Sequence, residues 1–224
     1  MKRLIIAIDG PSGAGKGTVS RTVSQQLGYR HIDTGAMYRA VALQAARSGI
    51  ALDDETEVAG FASRALLTVE GGIVIIDGTD VTSAIRTPEA DKAAAAVARL
   101  PRVREVLVAR QRRIGNPGGV VMEGRDIGTV VFPEADVKIY LDASADERAR
   151  RRAEDPAHSG GKAGQAAVAE AIQARDQADT TRAVSPLTIA AGAVRIDTTH
   201  LSIQQVVDAV MTLVSEKLKA SLEP

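Results

Sequence analysis

The fold of this 224-residue chain is decided by one stretch, Gly10-Pro11-Ser12-Gly13-Ala14-Gly15-Lys16-Gly17-Thr18. The apolar run at residues 4–8 precedes it, and a short run rich in β-branched side chains is typical of a buried strand. After the stretch, Val19, Val23 and Leu27 recur at helical spacing. The sequence therefore predicts a strand, a glycine-rich loop and a helix in direct succession.

A loop in this position is suited to binding phosphate. Glycine permits positive φ angles and a close approach of the backbone to a ligand, and the N-terminus of the following helix favours an anion. Lys16 adds a positive charge where the β- and γ-phosphates of a nucleoside triphosphate would lie. We therefore interpret residues 10–18 as a phosphate-binding loop (P-loop), the alternative being a glycine-rich turn that matches by chance.

The loop departs from the usual pattern at one position. Lys16 is followed by Gly17 rather than by Ser or Thr, and the hydroxyl comes one place later, at Thr18. The usual side-chain ligand for magnesium is therefore missing at its expected position. We expect Mg²⁺ to be held mainly by water and by the phosphates of the substrates, without a metal site made of protein side chains.

Composition restricts the classes of protein and of partner. The 28 basic residues balance the 28 acidic ones, so nothing favours nucleic acid or an anionic membrane as a partner. Cysteine is absent, which excludes disulfides and cysteine metal sites. No apolar run approaches the ~20 residues of a membrane span, and the N-terminal run is too short for a signal peptide. We expect a cytoplasmic protein, and a monomer because no helix shows a spare apolar face.

The order of predicted elements indicates a core with an insertion. Most predicted strands alternate with helices, which is typical of a parallel α/β sheet. Gly71-Gly72 separate two short apolar runs, which predicts a β-hairpin that does not belong in such a series. We therefore predict an inserted α+β lobe at residues 61–104. Residues 1–60 and 105–224 are predicted to form a three-layer P-loop α/β core with a parallel sheet of about five strands.

A short lid is predicted at about residues 152–165. The helix expected at residues 145–153 is dense in arginine, and the loop after it contains Ser159-Gly160-Gly161. An arginine-rich helix end beside a loose loop favours a lid that closes over phosphates. For each single arginine, an exposed basic helix face is the alternative interpretation.

Two further predicted helices carry candidate ligand contacts. Thr34 is a plausible N-cap for a helix in which Arg39 lies one turn from the start, although a solvated side chain is the alternative for Arg39. In the helix predicted from about residue 165, the spacing of Arg175, Asp179 and Arg182 places them on one face. A salt-bridge ladder on the surface is the alternative there, but Pro186 ends the helix and favours a position near the cleft.

Four segments together resemble the signatures of the bacterial cytidylate kinase family. They are Ile8–Thr18, Asp33-Thr34-Gly35-Ala36-Met37-Tyr38-Arg39, Gly124-Arg125-Asp126-Ile127-Gly128-Thr129 with its continuation to Pro133, and Arg175-Asp176-x-x-Asp179-x-x-Arg182-x-x-x-Pro186-Leu187. They occur in the order of that family across nearly the whole chain. Ile85-Arg86-Thr87 and the segment Pro101–Arg104 also resemble its inserted substrate lobe.

The resemblance implies transfer of the γ-phosphate of ATP to CMP or dCMP, with ATP on residues 10–18 and Mg²⁺ as cofactor. It implies a CMP site made of Thr34, of Arg39, Arg125 and Arg182 for the acceptor phosphate, of Arg104 and Asp126 for the cytosine, and of Arg175 and Asp179 for the sugar. The implied catalytic residues are Lys16, Arg125 and Arg182, with Arg148 and Arg152 as lid arginines that contact the transferred phosphoryl group.

One residue departs from the pattern of the family. The first helix of the lobe often carries a Ser that helps to bind the base, and the corresponding residue here is Ala95. We therefore expect base recognition to be weaker or to use water. A broader pyrimidine kinase, or another nucleoside monophosphate kinase, is the nearest alternative activity.

The chemistry of the residues agrees with phosphoryl transfer. Such a reaction requires alignment and charge neutralisation more than a general base. His31, His158 and His200 are interpreted as structural or solvated.

A regulatory nucleotide switch is the alternative from another class of protein. A guanine-specific switch would carry an Asn/Thr-Lys-x-Asp motif, which the sequence lacks.

Overall fold

In the computed structural model, which describes residues 3–155 and 165–220, strands and helices alternate along most of the chain. Their order and bounds are β1 (Ile5–Asp9), α1 (Lys16–Leu27), β2 (Arg30–Asp33), α2 (Thr34–Arg47), α3 (Glu55–Arg64), β3 (Leu67–Glu70), β4 (Ile73–Ile76), β5 (Thr79–Asp80), α4 (Pro88–Val97), α5 (Pro101–Gly115), β6 (Val120–Gly124), β7 (Val137–Asp142), α6 (Ala145–Glu154), α7 (Gln165–Thr181), β8 (Val194–Asp197) and α8 (Ile203–Ala220). A short π-helical turn at Ile127–Val131 follows β6.

Five strands form one parallel sheet in the order β2-β6-β1-β7-β8. The central strand β1 is covered on both faces, which explains its continuous apolar run. Ile6 and Ile8 pack towards α1 and α8, whereas Ala7 packs with Met122 and the side chains near α5. The predicted α/β fold with a five-stranded parallel sheet between two helical layers is confirmed.

Helix α8 covers the outer face of the sheet through one apolar stripe. Val206, Val207, Val210 and Val214 are buried in the cluster that includes Ile6. Their spacing is that of an amphipathic helix packed on a core.

Within the described residues, no helix is long and apolar enough to cross a membrane.

Between α2 and β6 the chain leaves the parallel sheet. Strands β3, β4 and β5 form a separate antiparallel sheet, and Gly71 and Gly72 make the predicted turn with φ angles of 59° and 86°. Positive φ at both central residues is what a tight hairpin turn requires. Strand β5 was not predicted, although Asp77 and Gly78, both with positive φ, form the second turn and are a recognised hairpin signal.

Elements of the predicted lobe share an apolar core with α2. Ile76, Ile85 and Leu107 are fully buried in a cluster that also contains Met37 and Val41. Helix α5 runs through residue 104, the predicted end of the insertion. The division into a core and a lobe at residues 61–104 stays a prediction.

Two local predictions were wrong. The N-cap of α2 is Asp33, whose carboxylate accepts from the Ala36 N–H at 2.9 Å, because Thr34 instead donates its hydroxyl to the Glu123 carbonyl at 2.7 Å. Helix α7 ends at Thr181, so Arg182 follows the helix and does not lie on its face. Most of the predicted lid, together with His158, lies outside the described residues.

Candidate active site

A cleft of about 880 Å³ opens where the parallel strands end. Its lining comes from the segments that follow β1, β2, β6 and β8, and from α4, α6 and α7. In open α/β sheets, ligands bind outside the carboxyl ends of the strands. All the predicted site residues except Gly10, Pro11 and Arg148 line this cleft.

The P-loop end of the cleft is held by backbone contacts. Asp9, the last residue of β1, accepts the N–H groups of Ile127 and Gly128 at 2.8 and 2.7 Å, which ties β1 to the turn after β6. Burial raises the pKa of Asp9 to about 6. A Cβ on Gly10 would collide with the Leu141 carbonyl oxygen, so the loop can pass close to β7 only with glycine at this position.

Lys16 lies at the start of α1 and is 7% exposed. Its Nζ donates to the Pro11 carbonyl at 2.7 Å, which folds the side chain over the loop. Burial lowers the pKa of Lys16 to about 7, and the nearby Arg125 contributes to the shift. A bound phosphate would reverse this shift, because an anion favours the ammonium form.

Arg148 does not reach the cleft. Its guanidinium donates to the carbonyls of Ala143 and Ser12 at 3.0 and 3.1 Å and pairs with Asp176. Asp176 in turn accepts the Ser12 N–H at 3.3 Å. Arg148 therefore connects the P-loop to α6 and α7, and its contact with a transferred phosphoryl group stays a prediction.

Another arginine of α6 approaches the loop from the cleft side. Arg151 donates to the hydroxyl and carbonyl oxygens of Thr198 at 2.9 and 2.7 Å, and the Thr198 hydroxyl lies 3.4 Å from the Ala14 carbonyl. Leu201 and Ile203 line the cleft nearby. Arg151 and Thr198 were not among the predicted site residues, and their contact joins segments that are far apart in the chain.

The opposite end of the cleft is an array of arginine–aspartate pairs. The pairs with their distances are Arg39–Asp33 at 2.8 Å, Arg86–Asp33 at 3.1 Å, Arg125–Asp179 at 2.9 Å, Arg175–Asp91 at 3.0 Å, Arg182–Asp126 and Arg182–Asp179 at 3.8 Å, together with the close pairs Arg104–Asp126 and Arg152–Asp91. The structure thus brings together the six predicted arginines at this end, which come from α2, α5, α6, α7, the turn after β6 and the segment after α7.

Several of these guanidinium groups are incompletely paired. Within the described residues, four buried arginine N–H sites have no hydrogen-bond partner, namely Arg39 Nε, Arg104 Nε, Arg175 Nε and Arg182 Nη2. A buried donor left unpaired costs about 1–3 kcal/mol, and more when it is charged. These groups are therefore suited to an anionic, hydrogen-bonding ligand.

Arginines lower the pKa of two aspartates at this end, Asp179 and Asp33. Burial alone would raise the pKa of Asp179, but Arg125, Arg175 and Arg182 outweigh it, and the net shift is downward. Asp33 shows the same balance, with Arg39 and Arg86 holding its pKa well below the usual range despite burial.

The sequence predicted all the arginines of this array except Arg86, but only two of its four carboxylates, Asp126 and Asp179. Asp33 belongs to a signature segment and was missed as a partner of Arg39. Asp91 lies outside the four segments. Its only sequence signal is that it is an acidic residue in the first turn of a helix, α4. A pairing between residues far apart in the chain leaves no local pattern to detect.

The carboxylate beside the P-loop is Glu123, the penultimate residue of β6. It is buried, pairs with His31 at 2.8 Å, and its Oε1 would lie 3.4 Å from a Cβ on Gly17. His31 is therefore buried and paired, which agrees with a structural rather than a solvated histidine. Within residues 3–155 and 165–220, no three His, Cys, Asp or Glu side chains form a metal-binding group.

Comparisons with known proteins agree on one family. The family model for cytidylate kinase matches residues 6–216. A cytidylate kinase of Desulfitobacterium hafniense (strain Y51) is 49% identical over 97% of this chain and 95% of its own length. One of Pelotomaculum thermopropionicum is 52% identical, over 94% and 95%, and one of Bacillus subtilis (strain 168) is 46% identical, over 96% and 98%.

Solved structures with little sequence identity share the fold alone. A shikimate kinase of Bacteroides thetaiotaomicron has a TM-score of 0.52 at 11% identity and covers 96% of this chain and 99% of its own. A gluconokinase of Sinorhizobium meliloti 1021 has a TM-score of 0.51 at 15% identity and covers 99% and 98%. The family model and the cytidylate kinases that are 46–52% identical span nearly the whole chain. The protein therefore belongs to the cytidylate kinase family.

Proposed function

We propose that the cleft binds ATP at the P-loop and CMP or dCMP at the arginine–aspartate array, and transfers the γ-phosphate between them. Membership of the cytidylate kinase family supports this reaction. The assignment of the acceptor site rests on the buried N–H groups of Arg39, Arg104, Arg175 and Arg182 that have no hydrogen-bond partner within the described residues. All four belong to the predicted CMP site, and an entering phosphate or nucleoside would supply the missing acceptors.

In the proposed reaction, an oxygen of the acceptor phosphate attacks the γ-phosphorus of ATP. A bond forms between these two atoms, the bond from the γ-phosphorus to the β–γ bridging oxygen breaks, and ADP leaves with that oxygen. The acceptor oxygen is already anionic, so no general base is needed. The protein has to align the two substrates and neutralise charge.

Each end of the cleft contributes to that neutralisation. Lys16, on the P-loop, is positioned for the β- and γ-phosphates, and its ammonium group becomes fully charged when they bind. Arg125 and Arg182 share Asp179 at the acceptor end. Because a guanidinium presents five N–H donors, each can keep this pairing and still hold a phosphate oxygen.

We propose Mg²⁺ as the cofactor of ATP. The Glu123 carboxylate beside Gly17 and the Thr18 hydroxyl lining the cleft are oxygen groups of the kind that Mg²⁺ accepts, and this small donor set fits an ion held mainly by water and phosphates. When bound, the ion would neutralise charge on the β- and γ-phosphates. His31 orients the Glu123 carboxylate through their 2.8 Å contact.

A coupled assay of ADP release with ATP and Mg²⁺ tests this function, with CMP, dCMP, UMP, AMP and GMP compared in parallel. We expect strong stimulation by CMP and dCMP. Comparable rates with UMP would make the protein a broader pyrimidine kinase. ATP hydrolysis without stimulation by any acceptor would contradict the proposed function.

A further inference from the structure

Asp91, in the first turn of α4, is the meeting point of three arginines from three other helices. Its Oδ1 lies 3.0 Å from Arg175 Nη1 and 3.6 Å from Arg39 Nη1, and its Oδ2 pairs with Arg152 Nη2. Only 13% of its side chain is exposed. One carboxylate of the lobe thereby joins α2, α6 and α7.

The three guanidinium groups would repel one another without this carboxylate. Burial lowers the pKa of Arg152, and Arg175 and Arg39 lower it further, whereas Asp91 opposes the shift. The pKa of Arg175 is lowered by burial and by Arg125 and Arg39, and Asp91 again opposes the change. Asp91 is thus a shared counter-charge for a cluster that has a net excess of positive charge.

The pairing also leaves donors available for a ligand. Arg39 and Arg175 each direct one terminal nitrogen towards Asp91, while their buried Nε groups have no hydrogen-bond partner within the described residues. Asp91 therefore fixes where these side chains lie without using all of their hydrogen bonds.

Arg152 depends most on this contact for its position. It lies in the last turn of α6, and its pairing with Asp91 carries the guanidinium across the cleft to the lobe helix α4. Both residues line the cleft. Without a partner on α4, a long arginine side chain at a helix end would sample many rotamers.

We propose that Asp91 is a positioning residue, which holds Arg152 over the cleft so that its guanidinium meets the transferred phosphoryl group. This inference rests on the proposed function. It predicts that the Asp91 carboxylate contributes to turnover through Arg152 and contributes little to the binding of ATP.

The test compares Asp91→Asn with Glu89→Gln. Both residues are acidic and lie in the first turn of α4, so the two variants lose the same charge at the same helix end, but Glu89 is exposed and does not line the cleft. We expect Asp91→Asn to lower kcat with CMP by about 10- to 100-fold, the size of effect that misplacement of a catalytic group produces. The KM for ATP should stay within about twofold, and Glu89→Gln should resemble the wild type.

A double-mutant cycle separates positioning from a general structural role. If Asp91 acts through Arg152, then Arg152→Gln and the double variant Asp91→Asn/Arg152→Gln should have the same kcat. An Asp91→Asn variant with wild-type kcat would overturn the inference. So would an equal fold-loss of kcat from Asp91→Asn in both backgrounds, because the carboxylate would then act independently of Arg152.

The wild-type assay separates this inference from the function on which it rests. A wild-type protein that does not phosphorylate CMP or dCMP would overturn both. An active wild type whose Asp91→Asn variant is unaffected would overturn the positioning role alone.

Discussion

The two ends of the cleft are built from different kinds of interaction. At the P-loop end, backbone geometry sets the site: Asp9 binds two N–H groups, and Gly10 permits the close approach to β7. At the end with the arginine–aspartate array, side chains from separate segments pair with one another. The first arrangement depends on backbone N–H and carbonyl groups of distant segments, whereas the second consists of ion pairs between side chains.

This difference predicts different kinetic consequences at the two ends. A charge on the rigid loop acts on the phosphoryl group in transfer, so its loss should lower kcat. A guanidinium that binds the acceptor in the ground state should affect KM.

Lys16→Ala should lower kcat by about 100- to 1,000-fold, the effect of removing one donor that stabilises transition-state charge. Lys138→Ala is a matched control, because Lys138 Nζ also donates to a proline carbonyl five residues earlier, Pro133, at 2.7 Å, and does not line the cleft. Steady-state kinetics of both variants check the prediction. Near-normal turnover of Lys16→Ala would contradict the role of Lys16.

Arg182→Ala should raise the KM for CMP by about 10- to 100-fold, because a hydrogen bond to a charged group contributes roughly 1.5–3 kcal/mol. The KM for ATP should change little. Arg195→Ala is the control, since Arg195 pairs with Asp142 on the exposed edge of the sheet. A loss of kcat with unchanged KM would instead assign Arg182 to the transferred phosphoryl group.

Nucleotide binding should take up protons through Lys16. Its pKa of about 7 in the free protein leaves most of the amine neutral at about pH 8, and the phosphates favour the charged form, so binding should take up close to one proton at that pH and much less at about pH 6. Calorimetry of ADP binding in buffers of different ionisation enthalpy measures the uptake. Lys16→Arg should abolish the difference between the two pH values, because a guanidinium stays protonated.

Ala95→Ser should have the smallest effect of these variants, and the effect should be on base preference. Ala95 lines the cleft on α4, and a new hydroxyl there offers one hydrogen bond, which contributes about 0.5–1.5 kcal/mol. We expect the ratio of kcat/KM for CMP to that for UMP to rise by about 2- to 10-fold. An unchanged ratio would show that this position does not contact the base.

Prediction from sequence succeeded where the determinants are contiguous. The strand, loop and helix around Lys16 follow from apolar runs and glycines, and the hairpin follows from Gly71-Gly72, because each depends on neighbouring residues. Arg182 was selected from a signature segment and Arg104 from the segment that resembles the inserted lobe of the family, and the structure places both beside Asp126.

Prediction failed where the determinant is a contact between distant segments. Arg148 was predicted to contact the transferred phosphoryl group, but its contacts with Ser12 and Asp176 were not predicted. Asp91 was not among the predicted site residues, because its ion-pair partners are three arginines on other helices. Asp33, and not Thr34, is the N-cap of α2, because the Thr34 hydroxyl donates to a carbonyl of β6 instead.

The most direct test of the central claim, that the arginine–aspartate array binds the acceptor through its phosphate, is a calorimetric comparison of CMP with cytidine. The account predicts that cytidine binds at least about 100-fold more weakly than CMP, because several charge-assisted hydrogen bonds are lost with the phosphate. Equal affinities for the two ligands would contradict it and would assign the unpaired arginine N–H groups to another purpose.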